Sequence, residues 1–227
     1  VAGTLNLADA VASHAAESTV VFASSAEVYG QAFNHGEVDE QTTPYPVNAY
    51  SRSKLAAEEL LFDVLQGKAR LIIARPCNHS GPGQDERFVI PSFAAQIARI
   101  EAGAEPVLRV GNLEARRDFL HVTDVVAAYC QIIAAADQLS EVSIFNISSE
   151  QQLRIMDIVE KLLALTSANI EIVPDQARMR PSEVPETRID SQRIRKAIGW
   201  TPHRTFDEVL SEVLSAQRQL ASSRTNV

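Results

Sequence analysis

Cysteine is nearly absent: Cys77 and Cys130 are the only two in 227 residues. They lie far apart and match no metal-ligand spacing, so neither a disulfide framework nor a metal site is expected, and a reduced, cytoplasmic setting is. Positive charge is also in deficit. Lys and Arg number 21 against 29 Asp and Glu, a formal net charge of −8, which excludes bulk neutralisation of nucleic-acid phosphates. A few placed arginines would still suffice for a phosphorylated small molecule. No apolar run approaches the ~20 residues of a membrane-spanning helix, and the first residues do not read as a signal peptide. The nine glycines never fall into Gly-x-Gly-x-x-Gly or Gly-x-x-Gly-x-x-Gly, so the usual phosphate-cradling turn between a strand and a helix is not among these residues.

What is present is ordinary for a globular chain: 45% hydrophobic and 22% charged residues, enough to bury a core. Leu5, Ala8, Val11 and Ala12 recur at helical spacing from the first residues, without an initiating methionine. The expectation from that start is a sequence continuing something longer. Thr19 to Ser24 (TVVFAS) reads as a buried parallel strand, Gly30 to Pro46 as loop, and Ala49 to Gln66 as a helix ended by Gly67. Arg70 to Arg75 (RLIIAR) is a second buried strand, and Asn78 to Gln84 a Gly/Pro loop. Strand, helix, strand is the rhythm of a parallel α/β sheet.

Beyond Pro91 the spacing predicts helices over Ser92–Ala102, Thr123–Ala136 (with a Thr cap), Met156–Leu165, Gln192–Ile198 and Phe206–Leu220. Strands are predicted at Val107–Val110, Ser143–Ile147 and Ile170–Val173. The division expected is 1–90, part of a nucleotide-binding unit, and 91–227, a smaller mixed α/β substrate unit with some return to the first sheet.

Tyr50 and Lys54 stand four apart, which on a helix places them on one face, about 5–6 Å apart at Cβ. A nearby ammonium favours phenolate, so the tyrosine is expected to titrate below its ordinary value near 10. Such a phenol could exchange a proton with a carbonyl oxygen. Ser25, after the first strand, lies at the carboxyl end where open α/β sheets bind ligands, and could hold the same oxygen. On spacing alone, Tyr50 and Lys54 could equally be an incidental surface pair.

The surrounding residues decide more. FASSAEVYG (Phe22–Gly30) followed by PYPVNAYSRSK (Pro44–Lys54) resembles the extended short-chain dehydrogenases of the NAD-dependent epimerase/dehydratase family, and the resemblance covers nearly the whole chain. It implies a Rossmann-like doubly wound parallel sheet, with its N-terminal strands and glycine turn preceding Val1, and a smaller substrate domain. It also implies NADP(H) or NAD(H) as cofactor, near Ala23, Ser24, Tyr50, Lys54 and His79, and catalysis by Ser25, Tyr50 and Lys54. With the glycine turn absent, the 227-residue chain by itself is expected to bind that cofactor weakly. Glu27 falls where the family's dehydratases hold a proton-abstracting acid; it is otherwise a solvated loop carboxylate. His79 is either beside the cofactor or a structural histidine.

For substrate, the resemblance implies Ser25, Asn78 and Val89 around the sugar, Arg117 of RRDF and Arg180 on the diphosphate, and Glu183 near the ribose. Asp118 and Asp124 are read as holding loops and capping a helix. The segments NHSGPGQ, FVIPSFAAQIARIE, VGNLEARRDF and RPSEVP look most like members that reduce the C4 keto group of GDP-4-keto-6-deoxy-D-mannose to GDP-6-deoxy-D-mannose (GDP-rhamnose). GDP-mannose 4,6-dehydration, or another sugar-nucleotide epimerase or dehydratase activity, is the alternative. A non-catalytic sugar-nucleotide-binding relative is the other. Cys77 departs from the family's usual aromatic residue. A homodimer through the Tyr50/Lys54 helix and the N-terminal helix is expected.

Overall fold

A computed structural model describes residues 1–179 and 184–225 of the chain. Its elements follow from the apolar patterning. Thr19–Ala23 (β1), Arg70–Pro76 (β2) and Val142–Ile147 (β7) are rich in Val, Ile, Leu and Phe. They pair in parallel in the order β1-β2-β7, with Val21 opposite Ile72 and Ile73 opposite Ile144. Alternation along β2 sends its side chains to opposite faces. Leu71 and Ile73 meet Ala8 of α1 (Ala2–His14) and Leu61 and Leu65 of α2 (Ala49–Leu65). Ile72 and Ala74 meet Val125, Ala128 and Ile132 of α4 (Val122–Ala134), Ile194 of α6 (Gln192–Ile198) and the buried Trp200. A sheet covered by helices on both faces is the Rossmann-like arrangement, and it explains why its strands read as continuous apolar runs.

A second core gathers α3 (Val89–Glu101), α5 (Ile155–Leu163) and α7 (Phe206–Thr225) with the parallel pair β4 (Val107–Val110) and β9 (Glu171–Pro174). Four short strands join the two cores. β3 (Asn78–Ser80) pairs with β6 (Phe119–His121), and β5 (Arg116–Arg117) pairs antiparallel with β8 (Leu153–Arg154). These lie where sequence patterning reads loop. Residues 26–35 also depart from the loop reading, forming 3-10 turns around Gly30. Gly30 sits at φ +49°, and a Cβ there would meet the Tyr45 carbonyl at 2.0 Å. Only glycine permits that approach, which folds residues 44–48 back against residues 26–35. The α4 helix begins at Val122 and is capped by His121, which accepts the Thr123 N–H, rather than by Thr123. None of the described helices is long and apolar enough to cross a membrane.

Candidate active site

α2 is set by a reciprocal cap. The Asn48 side chain accepts the Ser51 N–H at 2.8 Å, and the Ser51 hydroxyl lies 3.3 Å from the Asn48 N–H. This fixes the first helical turn, which contains Tyr50, and the i+4 spacing then places Lys54 one turn further along the same face. Both project towards the carboxyl end of β1. Lys54 Nζ donates to the Ala23 carbonyl at 2.8 Å and lies 5.8 Å from the centroid of the Tyr50 ring. Ser25 follows β1, accepts the Glu27 N–H at 3.2 Å, and lies close enough to the Tyr50 hydroxyl to lower its titration. The structure therefore gathers Ser25, Tyr50, Lys54 and Ala23 at one sheet end.

The titration expected of Tyr50 is corrected. Its phenol lies above the ordinary tyrosine value because burial disfavours the phenolate. The Ser25 hydroxyl pulls it down, and the negative charge of Glu27 pushes it up. Lys54 spends its ammonium on the Ala23 carbonyl and on the rings of Phe22 and Tyr50. Spacing gave the shared face, but not the carbonyl that claims the charge.

Glu27 is exposed and accepts a hydrogen bond from Asn48 Nδ2 at 3.2 Å. Its charge reaches both Tyr50 and the guanidinium of Arg117, which burial holds below its ordinary range. Arg117 donates to the carbonyls of Arg116 (2.7 Å), Val184 (2.9 Å) and Pro185 (3.2 Å), so it ties β5 to the segment that resumes at residue 184. Arg180 and Glu183 lie outside the described residues.

Asn78 and His79 are half-buried on β3, just past the end of β2. Asn78 Nδ2 donates to the Asp118 carbonyl at 3.3 Å, and His79 Nδ1 lies 3.0 Å from the Cys77 carbonyl. Val89 is the first residue of α3 and packs against the second core. Burial pushes the thiol of Cys77 well up. Asp118 accepts from the Ser148 and Ser149 hydroxyls at 2.5 and 2.6 Å and from the Glu150 N–H at 2.8 Å. It holds the turn after β7. Asp124 accepts the backbone N–H groups of His203 and Arg204, each at 3.1 Å.

Ser24 differs from its neighbours. Its hydroxyl is buried and donates to Glu58, whose carboxylate grips Arg75 through both oxygens, at 3.1 and 2.5 Å. Sequence reasoning gave no role to Glu58. The signal available was its place four residues after Lys54, on the same helical face.

Residues 1–213 match the family described as GDP-mannose 4,6 dehydratase. The GDP-6-deoxy-D-mannose reductase of Pseudomonas aeruginosa is 38% identical over 217 residues, covering 94% of this chain and 70% of that protein. A GDP-mannose 4,6 dehydratase of Cricetulus griseus is 26% identical over 247 residues, covering 99% of this chain and 65% of that protein. The structure of RMD from Pseudomonas aeruginosa, complexed with NADPH, superposes with a TM-score of 0.89 at 36% identity, covering 97% of this chain and 73% of that one. The chain thus spans between 65% and 73% of the length of these relatives. With a serine, a tyrosine and a lysine at the end of a parallel sheet and a match over nearly its whole length, the chain belongs to the GDP-mannose 4,6 dehydratase family of extended short-chain dehydrogenase/reductases.

Proposed function

We propose that the protein to which this chain belongs reduces the C4 keto group of GDP-4-keto-6-deoxy-D-mannose to GDP-6-deoxy-D-mannose with NADPH or NADH. The observation that carries the reading is the meeting of Ser25, Tyr50 and Lys54 at the carboxyl end of β1. The 38% identity to a GDP-6-deoxy-D-mannose reductase supports the substrate.

The residues present suit the nicotinamide and ribose end of the cofactor. Lys54 carries three N–H donors, and the bond to Ala23 uses one. Tyr50, Lys54, Ala23 and His79 would hold that end, whereas the Ser24 side chain is turned into the buried pair of Glu58 and Arg75. A bound nicotinamide supplies the hydride. The chain's own task is the proton. Tyr50, kept protonated by burial and by the charge of Glu27, is in the form that gives a proton to the carbonyl oxygen. Ser25 holds the same oxygen by a hydrogen bond. Arg117 and Arg180 are the residues for the diphosphate, Glu183 for the ribose, and Asn78 and Val89 for the sugar.

A second reading has its own observation. Glu27 stands close enough to Tyr50 to shift its titration, where a dehydratase needs a carboxylate base to take a proton from carbon. The two readings separate by product. Reduction of GDP-4-keto-6-deoxy-D-mannose with stoichiometric loss of NADPH absorbance, slowed about 10²–10⁴-fold in Tyr50→Phe, is the result expected. Turnover of GDP-mannose to the 4-keto sugar without net NADPH oxidation would replace reductase by dehydratase. A homodimer through α1 and α2 is part of the proposal. It is supported by exposed Leu7 and Phe62 on those helices, and sedimentation at the monomer mass would count against it.

A further inference from the structure

Three polar side chains follow one another at single-turn spacing along α2: Tyr50, Lys54 and Glu58. Each engages one of three consecutive residues at the end of β1. Lys54 donates to the Ala23 carbonyl, Glu58 accepts from the Ser24 hydroxyl, and Tyr50 stands within electrostatic reach of the Ser25 hydroxyl. Of these contacts only that of Glu58 is closed off from water, with Ser24, Glu58 and Arg75 all at 3–4% exposure.

The carboxylate is fully occupied. Arg75 Nε and a terminal nitrogen reach its two oxygens at 3.1 and 2.5 Å, and Ser24 bonds the oxygen that Nε touches. The other terminal nitrogen of Arg75 donates to the Tyr29 hydroxyl at 3.0 Å, and Tyr29 donates in turn to Asn146 Oδ1 at 2.8 Å. Ser24, Arg75 and Asn146 stand at the carboxyl ends of β1, β2 and β7. One buried network therefore spans all three described strands of the sheet and is tied to the helix at a single residue, Glu58.

We propose that Glu58, clamped by Arg75 and Ser24, is a positioning residue that sets how α2 sits on the sheet and so where the Tyr50 hydroxyl meets Ser25. Two facts favour positioning over stability alone. A buried ion pair is a poor device for stability, because apolar side chains of similar volume can do as well or better. A bidentate guanidinium–carboxylate pair is, however, geometrically exacting. It lies two turns from Tyr50 on the same face, and its serine partner adjoins the serine that Tyr50 meets. The importance of this position rests on the reading of Tyr50 as the proton donor.

The test reads the contact between Tyr50 and Ser25 without turnover. With tyrosine labelled at Cζ, Tyr50 is assigned among the four tyrosines by its loss in Tyr50→Phe, and its titration is followed by NMR. Ser25→Ala removes the hydroxyl that lowers the phenol's titration and should raise the midpoint. The same step is repeated in Glu58→Gln/Arg75→Met, which removes both buried charges while keeping their bulk. If Glu58 positions Tyr50, the rise caused by Ser25→Ala falls by about half or more in that background. An undiminished rise overturns the proposal. Should the double variant not fold, Ser24→Ala, which deletes one hydroxyl, goes through the same cycle with the same two outcomes. Because the readout is a titration, a diminished rise in a protein that reduces no 4-keto sugar would sink the proposed activity alone. An undiminished rise in an active reductase would sink the positioning role alone.

Discussion

At the scale of the residue, the proposed chemistry turns on what surrounds one phenol. Tyr50 is 51% exposed, yet its ring faces the end of the sheet rather than open solvent on every side. Burial raises its titration first, Ser25 opposes that, and Glu27 adds to it. The signs give a prediction that needs no substrate. Glu27→Gln removes a negative charge and should lower the Tyr50 midpoint, whereas Ser25→Ala should raise it. The phenolate absorbance of each variant, referred to its own Tyr50→Phe partner, reads both. Shifts of the same sign in the two variants would contradict the arrangement. The triad itself was legible in sequence, because a helix fixes the spacing of Tyr50 and Lys54. The raised titration was not, since it depends on how much of the phenol the fold buries and on the charge of Glu27 nearby.

At the scale of the element, long periodic segments were readable and short ones were not. β1, β2, β7, α2 and α6 fall within a residue or so of their apolar patterns. β3, β5, β6 and β8 have two or three residues each, too few for any period, and exist because a neighbour pairs with them. α3 begins at Val89, with Pro91 inside its first turn, where the missing N–H has no intrahelical partner to lose. Reading Pro91 as a boundary placed that start too late. Asp118 shows what holds the short pieces. It is wholly buried, with two hydroxyl and two backbone N–H donors from residues 148–150. Asp118→Ala leaves those donors unmet and should cost about 3 kcal/mol in urea unfolding. A loss below about 1 kcal/mol would show that the turn after β7 finds other acceptors.

The contact between β6 and α7 carries a pH dependence. His121 is buried at the end of β6, with Nδ1 accepting the Thr123 N–H and Nε2 3.0 Å from Glu212 of α7. Burial lowers its titration, Arg204 lowers it further, and Asp124 and Glu208 oppose both. A histidine lowered in the folded state binds its proton more readily when unfolded. Its contribution is therefore present above the unfolded value near 6.5 and is lost as pH falls towards the folded value. Unfolding free energy should drop between about pH 7.5 and 5.5 by more in the parent chain than in His121→Gln. Equal drops would remove His121 as the cause.

At the scale of the whole molecule, the two cores interlock, with elements from beyond residue 90 returning to the first. β7, α4 and α6 all come from beyond that point and complete the first core, because parallel pairing joins strands with no local signal between them. β6 serves both cores, with Phe119 in the second and Leu120 in the first. The passage from α6 to α7 is pinned by one side chain. Trp200 Nε1 donates to the Asp124 carbonyl at 3.1 Å, while the Asp124 carboxylate takes the N–H groups of His203 and Arg204 just before α7. Separating the cores would expose Trp200, unpair Asp124 and strip His121 of Glu212 together, so they should open in one step. Trp200 is the sole tryptophan and is 1% exposed, so its fluorescence reports the first core. Far-UV circular dichroism reports the helices of both. The two signals should trace one urea transition with a common midpoint. Loss of ellipticity ahead of the Trp200 signal would mean that α3, α5 and α7 melt while the sheet and the Ser25–Tyr50 end remain folded.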